Sequence, residues 1–263
     1  MTNSALLTDI DQYGRATVTM NRPEIHNAFD DTLIAALTRR LRELEADPMV
    51  RVVLLAGSGR SFSAGADLSW MRRMADYTPE ENLADALALA ELMRTLNGLG
   101  KPTIAMIQGA AYGGGVGLAA CCDLALASRR ASFCLSEVKL GLIPAVISPY
   151  VVQAIGPRAA RRYFQSAETF DAAEAHRLGL VHEVVAEEDL SETARRLSGT
   201  FLKNGPASMA AAKELVVRVS RGPIDEAMIR DTAARIAETR ASAEAKEGLT
   251  AFLQKRNPSW VKG

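Results

Sequence analysis

The sequence is short of the residues that build metal and disulfide sites. Its 263 residues include only three cysteines and three histidines. Cys121, Cys122 and Cys134 lie in apolar stretches at a spacing that fits no usual zinc pattern, and the histidines show no metal spacing. We therefore expect no metal site, three cysteines in the core, and a reducing, cytoplasmic setting.

An excess of charge of either sign is also missing, since 31 basic residues balance 31 acidic ones. We expect neither a nucleic-acid partner nor a membrane surface, because both attract a strongly basic protein. Residues 1–11 contain no basic segment followed by an apolar run, so no secretory signal is predicted. Residues 102–122 carry no charge, but their many glycines and Gln108 argue against a membrane span.

Strand and helix patterns alternate over most of the chain. Strands are predicted at 16–20, 50–56, 103–107, 124–127, 132–134 and 180–185, and helices at 31–46, around 83–96 and at 171–178. Only helical patterns follow residue 190, over 191–203, 206–221, 224–240 and 242–255. This order predicts an α/β core with an α-helical tail, and the apolar content of 48% suffices for one substantial core.

Four glycines in five positions form the most informative motif. The stretch 113–117 reads Gly-Gly-Gly-Val-Gly, and Glu137 follows it twenty residues later. An apolar run at 118–122 predicts a helix whose first N–H groups are unpaired and partly positive. Such a helix start can stabilise an oxyanion, and a nearby carboxylate can move a proton. Phosphate binding and close packing are the alternatives, although neither the dinucleotide fingerprint nor the P-loop pattern fits.

Several motifs then follow one another in a fixed order. They are Asn21-Arg22-Pro23 with Asn27-Ala28, Ser61 to Leu68, Lys101-Pro102, Gly109, the glycine cluster, Cys122-Asp123, Glu137, Gly141 and Ile143-Pro144. Through these motifs the chain resembles the crotonase, or enoyl-CoA hydratase/isomerase, superfamily over nearly its whole length. The resemblance implies an α/β fold, a ClpP-like spiral of ββα turns over 1–195, with a C-terminal α-helical trimerisation region over 196–263. It also implies an acyl-CoA thioester substrate, no separate cofactor, and a homotrimer or a hexamer of two trimers.

The resemblance assigns the catalytic groups. The backbone N–H groups of Ala66 and Gly114 would bind the thioester oxygen and stabilise the enolate that forms when a proton leaves or joins the adjacent carbon. Glu137 would exchange that proton, and burial among apolar neighbours would raise its pKa. A helix-end carboxylate paired with Lys139 is the structural alternative.

Further positions match the part of the family site that holds coenzyme A. Ile25, Ala28, Ala64, Ala66 and Leu68 match residues along the CoA arm, with packing as their structural role. Lys255 matches a C-terminal lysine that approaches a CoA phosphate, and a solvated lysine is the alternative. Asp67 is interpreted as fixing the loop around Ala66, and Trp70 and Met71 as core or acyl-pocket residues.

Gly117 departs from the usual hydratase pattern. Most hydratases of the family have a second glutamate there, and the two glutamates hold the water between them. Moving a double bond needs only one base, so an enoyl-CoA isomerase is an alternative prediction. A non-catalytic acyl-CoA-binding protein is a third.

A narrower resemblance favours hydration. Residues 133–150 and 113–118 resemble the bacterial methylglutaconyl-CoA and isohexenylglutaconyl-CoA hydratases, which act in leucine and acyclic terpene breakdown on substrates with a branched C3 and a second carboxylate. We therefore predict hydration of a short branched enoyl-CoA, with Gly117 making room for the branch or for water. The candidates for binding the distal carboxylate are Arg72, Arg73, Lys139, Ser148 and Tyr150.

Overall fold

The computed structural model describes residues 4–220 and 222–261. Its strands are β1 (Leu6–Ile10), β2 (Arg15–Met20), β3 (Val52–Gly57), β4 (Thr103–Ile107), β5 (Ala110–Tyr112), β6 (Leu124–Ser128), β7 (Ser132–Cys134), β8 (Phe170–Asp171) and β9 (Glu183–Val185). Its α-helices are α1 (Asp31–Ala46), α2 (Leu68–Met74), α3 (Pro79–Asn97), α4 (Gly114–Cys121), α5 (Ser148–Ser166), α6 (Ala172–Leu178), α7 (Leu190–Leu202), α8 (Pro206–Val219), α9 (Glu226–Ala241) and α10 (Ala243–Leu253). Short 3-10 helices span Pro23–Ile25, Glu137–Leu140 and Glu187–Asp189.

Two sheets organise these elements. The larger sheet has the order β1-β2-β3-β4-β6-β9 and is parallel except for the β1–β2 hairpin. The smaller sheet has the order β5-β7-β8. An isolated bridge between Ser63 and Ala111 continues the smaller sheet toward the segment after β3.

The repeat that the resemblance implies is visible in the chain order. β4, β5 and α4 form one ββα turn, and β6, β7 and α5 form the next. Each turn places one strand in the larger sheet, one strand in the smaller sheet and a helix after them. The predicted spiral of ββα turns is therefore confirmed, and the helices of the two turns, α4 and α5, contact each other.

One apolar core lies between the sheets and helices. Large side chains on α1 and α3 pack with the strands in this core, including Leu37, Leu41 and Met93. A second cluster joins α7 to the outer face of the larger sheet through Leu190, Ala194 and strand residues such as Ile104. The predicted division at 195/196 falls inside α7, and it stays a prediction.

The remaining tail contributes little to this core. Helices α8 and α9 have no buried residue, whereas large apolar side chains on the tail are exposed, among them Ile224, Phe252 and Leu253. No described helix is both long and apolar enough to cross a membrane.

Candidate active site

Asn27 joins the two loops that carry the predicted CoA-binding positions. Its side chain is fully buried, and its backbone adopts the left-handed region with φ 53°. The Nδ2 group donates to the carbonyl oxygens of Ser58 at 2.9 Å and Ser61 at 2.8 Å, while Oδ1 accepts from the Arg22 N–H at 2.9 Å. These bonds hold the segment around Ala28 against the segment that leads to Ala64.

The same two segments set the direction of the Ala66 N–H. Phe29 donates its N–H to the Gly65 carbonyl and accepts from the Asp67 N–H, both at 2.7 Å. Phe29 and Ala66 thus form an isolated parallel bridge. In such a bridge the residues on either side of Ala66 make the hydrogen bonds, so the N–H of Ala66 itself points away from Phe29. It donates no hydrogen bond within residues 4–220 and 222–261, and it is free to bind a substrate oxygen.

Asp67 fixes the next residues of this loop. Its carboxylate accepts from the N–H groups of Ser69 at 2.8 Å and Trp70 at 3.1 Å, which caps α2 at its start. This capping is compatible with the interpretation of Asp67 as a loop-fixing residue. Trp70 is buried and donates from Nε1 to Asp85 at 3.0 Å, which ties α2 to α3.

The glycine cluster places the second amide. The predicted helix at 118–122 begins four residues too late, because α4 starts at Gly114 and the glycines form its first turn. Gly113 precedes it with φ 51° and donates its own N–H to the Cys134 carbonyl at 2.9 Å. The N–H of Gly114 has no acceptor within the helix, since it is the first helical residue. Gly113 lies close to Gly65 of the loop that carries Ala66: a Cβ built on Gly113 would be 3.9 Å from the Cα of Gly65.

Glu137 begins a 3-10 helix beside these loops. One carboxyl oxygen, Oε1, lies 3.2 Å from the position that a Cβ on Gly113 would take. The other, Oε2, is buried and has no hydrogen-bond partner among the described residues. Burial raises the pKa of this carboxyl, an effect that its own backbone N–H partly offsets. The expected pKa rise is thus confirmed, whereas no ion pair with Lys139 is found in the described part of the chain.

These groups form an arrangement suited to enolate chemistry. Two loops present one amide each, and a carboxyl with a free oxygen lies beside the glycine that precedes the second amide. An unpartnered buried polar atom costs about 1–3 kcal/mol. A water molecule or a substrate that satisfies Oε2 would recover this free energy on binding.

The structure shows no open space beside Gly117, where the sequence analysis expected room for the substrate branch or for water. A Cβ on Gly117 would stand 2.3 Å from Cγ2 of Ile147, and Ile147 is itself buried. The space on this side of α4 is therefore filled by protein. The expectation that Gly117 opens a cavity for the branch or for water is wrong in this structure.

The predicted CoA positions differ in their exposure to solvent. Ile25 ends a 3-10 helix and is half-buried, Ala28 is buried, Ala64 is half-buried and Leu68 is exposed. Lys255 lies after α10 with φ 55°, and its side chain is exposed. Nothing in the described contacts joins Lys255 to the loops of Ala66 and Gly114.

Five residues were candidates for binding a distal carboxylate of the substrate. Two of them are bonded to other groups, and a third lies away from Gly114. Arg73 pairs with Asp31 at 2.6 Å, and Ser148 donates from Oγ to the Ala145 carbonyl at 2.7 Å. Tyr150 lines a groove of about 490 Å³ with Cys121, at the far end of α4 from Gly114. Lys139 is exposed, and Arg72 is also exposed on α2.

Other predicted groups keep structural roles. Cys121, Cys122 and Cys134 are free and buried, as expected. Among residues 4–220 and 222–261 no group of three or more His, Cys, Asp or Glu side chains could hold a metal ion. Two residues that the sequence did not single out shape the site: Phe29, whose ring lies 3.0 Å from a Cβ position on Gly114, and Ile147. The only sequence signal for Ile147 is its place ten residues after Glu137.

Several known proteins are similar to this chain in sequence and in structure. The sequence model described as "Enoyl-CoA hydratase/isomerase" matches residues 11–263. A structure from Legionella pneumophila, named an enoyl-CoA hydratase/isomerase or crotonase, is 51% identical, with 98% of this chain and 99% of that chain covered and a TM-score of 0.93. An enoyl-CoA hydratase from Shewanella pealeana is 46% identical over 98% and 97% of the two chains, with a TM-score of 0.95. The crotonyl-CoA hydratase of Syntrophomonas wolfei is 32% identical over 94% of each chain.

Proposed function

Because the chain belongs to the enoyl-CoA hydratase/isomerase family, we propose that it is a lyase that adds water across the C2=C3 bond of a short, branched enoyl-CoA thioester. Hydration of an enoyl-CoA accords with the names of similar proteins, and the branched substrate is the finer part of the proposal. One observation carries it: among the described residues, a buried oxygen of Glu137 has no partner, and it lies next to two loops whose N–H groups at Ala66 and Gly114 donate to no acceptor either.

The reaction can be written with Glu137 as the only acid–base group. Its carboxylate takes a proton from water while the water oxygen bonds to C3. The C2=C3 electron pair moves toward the thioester carbonyl, and the resulting enolate oxygen accepts hydrogen bonds from the N–H groups of Ala66 and Gly114. Glu137 then delivers the proton to C2, the enolate electrons form the C2–H bond, and the carboxylate is restored.

The two amides act mainly on the transition state. Negative charge on the thioester oxygen grows as C3 is attacked, so donors held in place by the fold stabilise the enolate more than the neutral carbonyl. Phe29 and Asp67 hold the first amide, and the start of α4 holds the second. Loss of one such donor typically costs about 2.7–4 kcal/mol of activation free energy.

The branched substrate is supported by the resemblance of residues 133–150 to hydratases of branched substrates, and by Gly117, which stands where most hydratases of the family have a second glutamate. A panel of crotonyl-CoA, 3-methylcrotonyl-CoA and 3-methylglutaconyl-CoA tests this part. We expect the highest kcat/KM with 3-methylglutaconyl-CoA, and a preference for crotonyl-CoA would contradict it.

Isomerisation of a C3=C4 to a C2=C3 double bond is the second candidate, because it needs a single base and Glu137 alone could supply it. Incubation in water labelled with oxygen-18 separates the two activities. A hydratase places the label in the 3-hydroxyacyl product, whereas an isomerase leaves the product unlabelled. Binding of CoA esters without turnover, unaffected by Glu137→Gln, would instead support a non-catalytic binding protein.

Coenzyme A enters this proposal as part of the substrate, and the chemistry above requires no further cofactor. We also propose a homotrimer, alone or paired into a hexamer. The exposed apolar side chains before α9 and on α10 support assembly, with Ile224 88%, Phe252 80% and Leu253 78% exposed in the single chain. Sedimentation equilibrium tests this assembly, and a monomeric mass at micromolar concentration would contradict it.

A further inference from the structure

Phe29 contacts both segments that carry the proposed oxyanion donors. Its backbone bonds to the Gly65 carbonyl and to the Asp67 N–H, both at 2.7 Å, hold the residues on either side of Ala66. Its buried ring fills the space that a side chain at Gly114 would take, since a Cβ there would lie 3.0 Å from Cε2 and 3.1 Å from Cδ2 of the ring. One residue therefore lies against both amides, with its backbone at the Ala66 loop and its ring at Gly114.

Ser63 makes a second connection between the same segments. It is fully buried, and its Oγ donates to the Asn27 carbonyl at 2.9 Å. Its backbone N–H donates to the Ala110 carbonyl at 3.0 Å, and its carbonyl accepts from the Tyr112 N–H at 2.8 Å, so it is tied to β5, the strand before the glycine cluster. The same carbonyl oxygen would lie 2.6 Å from a Cβ on Gly115, so the first turn of α4 also packs on Ser63.

The two connections act on the same pair of donors. Asn27, which accepts from Ser63, precedes Phe29 by two residues, and Ser63 precedes Ala66 by three. The segment before α1 and the segment of Ala66 are thus joined at two points. Carbon atoms in a packed interior stay about 3.5–4.0 Å apart, so only glycine at 114 lets the Phe29 ring approach the helix start this closely.

We propose that Phe29 and Ser63 are positioning residues that set the separation of the Ala66 and Gly114 amides, an inference that rests on the proposed enolate chemistry. Neither residue contacts the substrate in this proposal. Negative charge on the thioester oxygen grows only as the enolate forms, so a displaced amide weakens the transition state more than the bound substrate. Both residues should therefore act on kcat more than on KM.

Steady-state kinetics of Phe29→Leu and Ser63→Ala test this role. Ser63→Ala removes the hydroxyl and keeps the backbone bonds to β5, and Phe29→Leu keeps an apolar side chain while removing the ring from Gly114. We expect kcat to fall about tenfold in each variant, with KM nearly unchanged, because misaligned groups lose their effect on the reacting atoms. A loss confined to KM, or wild-type kcat in both variants, would overturn the proposal.

Matched controls come from other elements of the fold. Phe170 on β8 is 5% exposed, and Ser198 on α7 is fully buried and accepts from Arg15 Nε at 2.8 Å. Phe170→Leu and Ser198→Ala should lower Tm by a few degrees, as the two test variants should, and should keep wild-type kcat. An equal loss of kcat in the controls would mean that general loosening of the fold explains the effect, and it would overturn the proposal.

Infrared spectroscopy of a bound thioester gives a readout that does not depend on turnover. Butyryl-CoA labelled with carbon-13 at the thioester carbonyl is added at a saturating concentration. Hydrogen bonds from two aligned amides polarise this carbonyl, so its stretching band should lie at lower frequency in the wild type than in free butyryl-CoA. The band should move back toward the free position in Phe29→Leu and in Ser63→Ala, and should stay at the wild-type position in the two controls.

The band also separates failure of this proposal from failure of the proposed function. A shifted wild-type band without hydration of any enoyl-CoA would contradict the hydratase, while the bands of Phe29→Leu and Ser63→Ala would still decide the positioning role. Bands at the wild-type position in both variants would overturn that role even in an active hydratase. A wild-type band at the free position would overturn the amide pair and the positioning role together.

Discussion

The carboxyl of Glu137 is packed against the glycine that precedes α4. Its Oε1 atom lies 3.2 Å from the position that a Cβ on Gly113 would take, and Gly113 itself has φ 51°. A Cβ at position 113 would be tighter against this oxygen than ordinary contacts are, so the Glu137 carboxyl would have to shift by a few tenths of an ångström. The absence of a side chain at Gly113 therefore keeps the carboxyl where it is.

Gly113→Ala should reduce activity by tenfold or more, because a displaced catalytic group loses its alignment with the substrate. The substitution also forces a residue with a Cβ into a positive φ, so Tm should fall. Gly156→Ala is the matched control: Gly156 has φ 75° and nothing within 4 Å of its Cβ position. Steady-state kinetics of both variants should show a loss of kcat in Gly113→Ala alone, and equal kcat losses would contradict this explanation.

Glu137→Gln should lower kcat/KM for hydration by roughly 10²–10⁴-fold, the usual contribution of general acid–base catalysis. The amide cannot take the proton from water or return it to C2. Binding of a saturated thioester such as butyryl-CoA should change little, since the proposed contacts with its carbonyl are made by the backbone N–H groups of Ala66 and Gly114. Kinetics and calorimetric titration measure the two effects, and a variant that keeps wild-type turnover would exclude Glu137 as the acid–base group.

The raised pKa of Glu137 predicts a particular dependence on pH. The first step needs the carboxylate, so activity should fall on acidification through a pKa above the ordinary value of 4.5. The free energy of unfolding should change with pH in the opposite direction to activity, because the folded state keeps this proton to a higher pH than the unfolded state does. The free energy of unfolding of the wild type should decline relative to Glu137→Gln as pH rises from 4.5 through the raised pKa, and should then level off.

Urea unfolding of both proteins across this pH range measures the difference. Comparison with the variant removes the contributions of other carboxyls, such as Glu247, whose pKa is lowered to about 2 by Arg256. A difference in stability that grows with pH in favour of the wild type would mean that the pKa of Glu137 is lowered.

Asp67→Ala should destabilise the protein by about 0.5–2 kcal/mol, the usual cost of losing a helix N-cap. Since Asp67 directly follows Ala66, kcat should also fall, while the pH at which activity is lost should stay unchanged. Asp67→Asn keeps an acceptor for the N–H groups of Ser69 and Trp70 and should retain most of the stability. If activity of Asp67→Ala were lost at a different pH on acidification than activity of the wild type, Asp67 would take part in proton transfer.

Local patterns in the sequence predicted much of the fold. Helix α1 is found at 31–46, with Asp30 capping it, because apolar residues recur at helical spacing. Strand β4 at 103–107 also agrees with its apolar pattern. Helix α5 was missed, since Gly156 and Pro157 interrupt its middle, and the structure shows a kink there with a non-helical Gly156. The start of α4 was also wrong, because glycine has a low helix propensity and only packing keeps these glycines helical.

The sequence by itself determined the chemical groups of this protein: a carboxyl in an apolar setting, a run of glycines that exposes backbone, and strands and helices that alternate along the chain. The ββα order was implied only by the family resemblance. Tertiary packing decided which of these groups meet. The Ala66 N–H faces outward because Phe29 bonds to the residues on either side of it, and the space beside Gly117 is filled because Ile147, thirty residues away, packs there. Such contacts depend on how distant segments fit together within a fraction of an ångström, which a linear pattern of residue types does not encode.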